Sequence, residues 1–469
     1  MSFPANFTWG AASSAYQIEG AWNQDGRGPS VWDTYCHARP TDGGPAFNPI
    51  KPNVFQGHTG DVACDHYNRY KEDVAIMKTI GLKAYRFSLS WSRILPDGVG
   101  AVNATGLDFY DRLVNELLDK GITPYVTLFH WDYPEALFQK GGWLNRESVK
   151  WFADYTQVVA DRLGDRVKNW MTLNEPQVFL QFGHADAANA PGLRLGTREL
   201  LVACHHALMS HGAAVQVLRA RCKGVQSIGY APVCVTKYPA TDSAQDQKAA
   251  IDVMGSVTER NIWNNTWYAD AIVKGHYPED GMKIFGTDAP KPQAGDMELI
   301  SQKIDFIGVN IYEGTPVRMN QAGKPEAVER TPTHPTTAIR WPVEPKSLHW
   351  GPRYTYERYK LPVYITENGM SGIDWVSMDG KVHDPQRIDF TRRYLLELRN
   401  AIKAGADIRG YFHWSILDNF EWSQGYKERF GLVHVDYTTQ KRTPKDSAHW
   451  YAKVIASNGA HLDQDPFGG

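Results

Sequence analysis

Cysteine is scarce in this chain. There are five in 469 residues, an odd count, and Cys36, Cys64, Cys204, Cys222 and Cys234 include no CxxC pair. That argues against a disulfide-stapled fold, and free thiols suit a reducing compartment. Long apolar runs are missing too. No stretch reaches the ~18 residues of a membrane-spanning helix. The opening Met1-Ser-Phe-Pro-Ala-Asn-Phe-Thr-Trp-Gly10 lacks the basic and apolar regions of a signal peptide, so a cytoplasmic location is expected. Net charge is only −2, and no basic tract exceeds a few residues. This argues against nucleic acid and against an anionic membrane surface as partners. Low-complexity tracts are absent.

Aromatic residues are abundant. They make up 12% of the chain, with 16 Trp and 23 Tyr. Sugar rings present C–H faces that stack on aromatic rings. On composition alone, a large core with aromatic-rich loops explains the excess equally well.

Short β-rich runs alternate with longer amphipathic ones. Strands are expected at 7–16, 84–90, 123–130, 168–175, 227–233, 306–312, 363–367 and 410–416. Most are near-continuous apolar runs, as in parallel strands covered on both faces. Helices are expected at 67–80, 107–119, 149–163, 197–220, 249–274 and 385–404, several closed by glycine. Eight βα units predict an α/β fold, a (β/α)8 TIM barrel, with residues 1–469 as one domain. The irregular stretches 36–60, 318–350 and 372–384 read as long loops over the barrel mouth.

Two glutamates stand out. Glu175 closes the run Val167-Lys-Asn-Trp-Met-Thr-Leu-Asn-Glu and is followed at once by Pro176. Glu367 closes Leu361-Pro-Val-Tyr-Ile-Thr-Glu and is followed by Asn368-Gly369. A buried strand meeting a breaker delivers a side chain to the rim of a parallel barrel. Two carboxyls from distant strands can split a glycosidic bond, one as acid/base and one as nucleophile. Arg86, in the strand run Lys83-Ala-Tyr-Arg-Phe-Ser88, could keep one carboxylate ionised. Tyr312 could donate a hydrogen bond to the same group.

Taken with further motifs, these runs give the chain a resemblance to glycoside hydrolase family 1, the retaining β-glucosidases. Thr172-Leu-Asn-Glu-Pro176 and Ile365-Thr-Glu-Asn-Gly369 are similar to the two catalytic motifs of that family. Phe7-Thr-Trp-Gly-Ala-Ala-Ser-Ser-Ala-Tyr-Gln-Ile-Glu-Gly20, Tyr85-Arg-Phe-Ser-Leu-Ser-Trp-Ser-Arg93, Asp418-Asn-Phe-Glu-Trp422 and the stretch 425–431 also match, and the likeness extends to about Trp450. The resemblance implies Glu175 as acid/base and Glu367 as nucleophile. It implies that Gln17, His130, Asn174, Glu421 and Trp422 bind hydroxyls of the terminal sugar. Trp131 would line that pocket, Trp414 would be its stacking floor, and Phe430 would lie near C6. Asn310, Tyr312 and Arg86 would surround the nucleophile. These residue types suit a sugar independently, because amides both donate and accept while a carboxylate such as Glu421 accepts from adjacent hydroxyls.

An exo-acting retaining β-glycosidase is therefore expected. It would act by double displacement on terminal β-glucosyl residues of cellobiose and aryl glucosides, with β-fucosides and β-galactosides alongside. The partner is a small-molecule β-glycoside, and no cofactor or metal is expected. The intact Glu421-Trp422 pair and the presence of Glu175 point to an ordinary O-glycosidase on unphosphorylated sugars. Two positions depart from the family pattern, Gln177 where Trp is common and Asn189 where His is common, which puts the leaving-group preference in question. Cys204-His205-His206 with His211 offers a weak metal reading, because His206 and His211 are badly spaced for one helical face. A transglycosylase and a catalytically silent sugar-binding barrel are the alternatives.

Overall fold

The computed structural model describes residues 2–38 and 53–466. Eight parallel strands close into a barrel: β1 Thr8–Ala12, β2 Ala84–Ser88, β3 Thr123–Phe129, β4 Asn169–Asn174, β5 Ser227–Ala231, β6 Phe306–Asn310, β7 Val363–Asn368 and β8 Ile408–Trp414. They lie around the barrel in chain order, and β8 pairs with β1 through Thr8 opposite Gly410 to Ala12 opposite Trp414. All eight expected strands are present. The first is shorter than expected, because Ser13-Ser14 end it and Ala15–Ile18 form a helical turn.

The interior of the barrel is packed. Ala12, Ala84, Tyr125, Met171, Ala231, Phe306, Phe412 and Trp414 form one buried cluster inside it. Small and large residues interlock there. A Cβ on Gly308 would meet Thr366 at 2.6 Å, and one on Gly229 would meet the Phe306 ring at 2.7 Å. A second, larger core lies between the strands and the surrounding helices. It includes Trp9 and Leu173 from the strands, and Leu113, Leu208 and Leu398 from the helices.

The helices are α1 His66–Ile80, α2 Ala104–Asp119, α3 Ser148–Leu163, α4 Thr197–Arg221, α5 Ala244–Met254, α6 Thr266–Lys274, α7 Ser347–Tyr359, α8 Pro385–Lys403 and α9 Asp446–Ala456, with shorter turns between them. Three differ from expectation. The helix expected over 249–274 is two, broken between Gly255 and Asn265. α7 begins inside the stretch read as a loop and carries Pro352. α9 has no counterpart among the expected helices. The stretch 318–350 also has order of its own, since Thr315–Met319 pairs with both Lys237–Pro239 and Pro325–Ala327. The loop at 372–384 is irregular as expected. Part of the expected loop at 36–60, residues 39–52, lies outside the described residues. None of the described helices is long and apolar enough to cross a membrane.

A buried ionic cluster fixes the chain beyond β8. The Lys445 ammonium, fully buried, donates to Asp418 Oδ1 at 2.7 Å and to Asp374 Oδ2 at 2.5 Å. Arg387 donates to Asp374 at 2.7 Å, and Arg429 donates to Asp418 at 2.7 Å. Removing one partner strands the others in a low-dielectric site, which costs about 3–5 kcal/mol. Lys445→Met is therefore expected to lower the unfolding free energy by about that amount, measured by chemical denaturation. An unchanged midpoint would show that the cluster adds nothing to stability.

Candidate active site

Both glutamates sit where a strand ends at the barrel mouth. Glu175 follows β4 with φ +45°, a left-handed conformation that a non-glycine residue adopts only under constraint. Its N–H donates to Ala231 O at 2.7 Å, and Pro176 begins a short helix. The forced turn aims the side chain over the barrel instead of along it. Glu367 lies within β7, at an irregularity in the β6–β7 pairing where it stands opposite Asn310. Trp131 and Trp422 also have positive φ, at 82° and 48°. All four side chains line one cavity of about 620 Å³, together with His130, Asn310, Tyr312, Trp414, Glu421 and Phe430.

Arg86 organises the floor of this site. It lies in β2 and is 1% exposed. One guanidinium nitrogen donates to Glu367 Oε1 at 2.6 Å and to Thr366 O at 3.0 Å, and the other donates to Asn174 Oδ1 at 2.6 Å. Tyr312 OH donates to Glu367 Oε2 at 2.7 Å. Both oxygens of Glu367 thus accept a bond, one of them from a cation. Glu175 accepts from Asn310 Nδ2 at 2.9 Å, and the same amide donates to Asn174 Oδ1 at 3.0 Å. Because Asn174 Oδ1 accepts twice, its Nδ2 faces His130 Nε2, 3.1 Å away.

The electrostatics of the two carboxyls differ. Burial drives Glu175 well above the usual carboxylate range, and the charge of Glu367 adds to it, against the Asn310 hydrogen bond and Arg86. Burial raises Glu367 as well, but Arg86 is the foremost opposing influence and the Tyr312 hydroxyl supports it. The arrangement favours a proton on Glu175 and a charge on Glu367. Burial, followed by Arg86, pushes the His130 imidazole well down, so it stays neutral. Burial also raises Glu421 to about 8, helped by the charges of Glu367 and Glu428.

The remaining expected residues gather around this centre. Gln17 and Asn174 are fully buried. Gln17 Nε2 donates to Phe420 O at 2.9 Å and to Asn419 Oδ1 at 3.1 Å, and lies 3.5 Å from Glu421 Oε2. Trp414 is 5.8 Å from the His130 ring and nearly parallel to it. Trp131 and Trp422 pack at 4.5 Å, and Trp131 Nε1 donates to Asn174 O at 3.0 Å.

Sequence reasoning missed residues of the outer cavity. Trp341 packs against Tyr312 at 5.1 Å and Phe430 at 5.9 Å. Trp263 stacks on Phe182 at 5.2 Å. Of the two departures from the family pattern, Asn189 does line the cavity. Gln177 does not. It is fully buried, donates to Val233 O at 3.0 Å and accepts from Val233 N at 3.3 Å, tying the segment after β5 to the helix after Glu175. The histidines of α4 serve separate hydrogen bonds. His205 contacts Tyr277 and Asp296, His206 meets Trp143 O, and His211 meets Thr172.

The model of Glycosyl hydrolase family 1 matches residues 1–460. Beta-glucosidase A of Thermotoga maritima is 45% identical, over 97% of this chain and 98% of that protein. Beta-glucosidase A of Acetivibrio thermocellus is 42% identical, over 98% and 99%. The structure of the Thermotoga maritima beta-glucosidase in complex with glucoimidazole superposes with a TM-score of 0.87 at 45% identity, covering 98% of this chain and 99% of that one. Another structure of that enzyme is in complex with galacto-hydroximolactam. The chain belongs to glycosyl hydrolase family 1 and is a retaining glycosidase of the β-glucosidase kind.

Proposed function

We propose that the protein removes terminal, non-reducing β-D-glucosyl residues from cellobiose and aryl β-glucosides by double displacement. The observation that carries this reading is the unequal support of the two carboxyls. Glu367 accepts from a guanidinium and a phenol, whereas Glu175 accepts from a neutral amide. Glu367 attacks the anomeric carbon while Glu175 gives its proton to the departing glycosidic oxygen, leaving a glucosyl ester on Glu367. Glu175, now ionised, takes a proton from water. The water oxygen attacks the same carbon, and the carboxylate of Glu367 leaves. The sugar stacks on Trp414. Gln17, His130, Asn174, Glu421 and Trp422 hold its hydroxyls, Trp131 lines the pocket, and Phe430 lies near C6. Asn310 orients Glu175. Glu421 accepts from adjacent hydroxyls and tolerates either configuration at C4, so β-galactosides and β-fucosides are substrates too. The galacto-configured ligand of the Thermotoga maritima enzyme supports this.

A panel of 4-nitrophenyl glycosides tests the reading, with product stereochemistry followed by NMR. Release from the β-glucoside with β-glucose appearing first is the expected result, with weaker release from the β-galactoside and β-fucoside. No release from any member would make the silent sugar-binding barrel the correct reading.

Arg86 gives a separate test. Its guanidinium holds Glu367 down against burial. Attack needs the ionised form, which exists above the pKa. Arg86→Met therefore raises the pH at which kcat/KM begins to climb. An acid limb that stays in place would remove Arg86 from this role.

A further inference from the structure

The cavity extends outward along the segment that leaves β5. Val233 forms a bridge with Asn310, and Cys234 N donates to Asn310 O at 3.0 Å. The segment thus starts beside the amide that holds Glu175. Four residues further on, Lys237 opens the short strand Lys237–Pro239. Four extended residues span at most about 14 Å. Lys237 lines the catalytic cavity and also a second cavity of about 360 Å³, with Val235 and Trp263 shared between the two. An ammonium therefore stands on the route that a leaving group takes away from Glu175.

That ammonium is half-buried and lightly engaged. Nζ donates to Thr315 Oγ1 at 3.1 Å, and among the described residues no carboxylate pairs with it. The nearby acids have other partners or face solvent. Glu326 accepts from Arg318 at 2.6 Å, Glu259 accepts from Asn261 at 2.8 Å, and Glu313 is exposed on the same wall. Burial lowers the Lys237 ammonium, while Glu313 and then Glu259 raise it. A half-desolvated cation on a neutral hydrogen bond is a ready partner for an anion.

We propose that Lys237 is a specificity-determining residue that binds a carboxylate on the leaving group, so that glucosyl aldonates are favoured over their uncharged counterparts. The inference rests on the proposed β-glucosidase activity. The reach from Val233 to Lys237 has room for a leaving group of at most about one or two sugar units. Glu313, on the same cavity wall, is the anion that competes for Lys237.

Cellobionate and cellobiitol provide matched probes. Both carry glucose on an open-chain leaving group, and they differ only in a carboxylate against a hydroxymethyl. The wild-type kcat/KM ratio is expected to favour cellobionate by about fivefold or more at low salt and to shrink as salt rises. Lys237→Met brings the ratio to about one, and Lys237→Arg keeps it above one. Equal rates on the two probes in the wild type, or a ratio that survives Lys237→Met, would overturn the proposal. Because the wild-type ratio and its salt dependence need no variant, a misfolded Lys237→Met leaves the test intact. If neither probe nor a 4-nitrophenyl glucoside is cleaved, the β-glucosidase reading itself fails, and this inference falls with it.

Discussion

Glu367→Gly is expected to abolish glucoside hydrolysis while the barrel remains folded. The loss should be on the order of 10⁵-fold, or ~7 kcal/mol of transition-state stabilisation. Without the carboxylate no glucosyl ester forms. The buried Arg86 loses its ionic partner but keeps Thr366 O at 3.0 Å, Asn174 Oδ1 at 2.6 Å and Thr127 Oγ1 at 3.2 Å. Those bonds limit the damage to the floor of the site. The missing side chain leaves room for a small anion, so azide or formate should restore part of the cleavage of an activated aryl glucoside. The product formed with azide would have inverted configuration. Circular dichroism checks the fold. Full activity in this variant would remove Glu367 from the nucleophile role.

The second large effect belongs to Glu175. Glu175→Ala should slow substrates with poor leaving groups, such as cellobiose, by about 10²–10⁴-fold through loss of the general acid. A nitrophenolate departs without a proton, so formation of the glucosyl ester from a nitrophenyl glucoside should suffer far less. The pH profile gives an independent readout. With Glu175 as the acid, wild-type activity is expected to fall as pH rises through its elevated pKa. In the variant that alkaline limb should disappear. Equal losses on both substrates with the limb intact would contradict the acid role.

The barrel was legible because its strands are buried on both faces. Ala84–Ser88 and Phe306–Asn310 have no exposed residue, so each reads as a short, largely apolar run ending where the site begins. Arg86 was legible for the opposite reason. A guanidinium inside such a run demands a buried anion, and Glu367 supplies it. Elements whose local signals conflict with their structure were missed. Helix α7 carries Pro352 and follows a proline-rich stretch, yet its Leu348, Tyr354 and Tyr359 are buried, so tertiary packing overrides propensity. The apolar pattern at 249–274 hid a break, and Trp263 sits in that break. Trp263 and Trp341 have no neighbours in sequence that mark a site. Their partners, Phe182 for one and Tyr312 with Phe430 for the other, arrive only on folding. The role of Gln177 was likewise hidden, because its partner Val233 lies 56 residues away.

The central claim is that Glu367 carries the sugar between the two displacements. The most direct measurement traps that ester with an activated 2-deoxy-2-fluoro-β-glucoside and locates the adduct by peptide mass spectrometry. A stoichiometric fluoroglucosyl group on Glu367, in Ile365-Thr-Glu-Asn-Gly369, is the predicted result. An adduct on Glu175, or time-dependent inactivation with no covalent sugar, would contradict it.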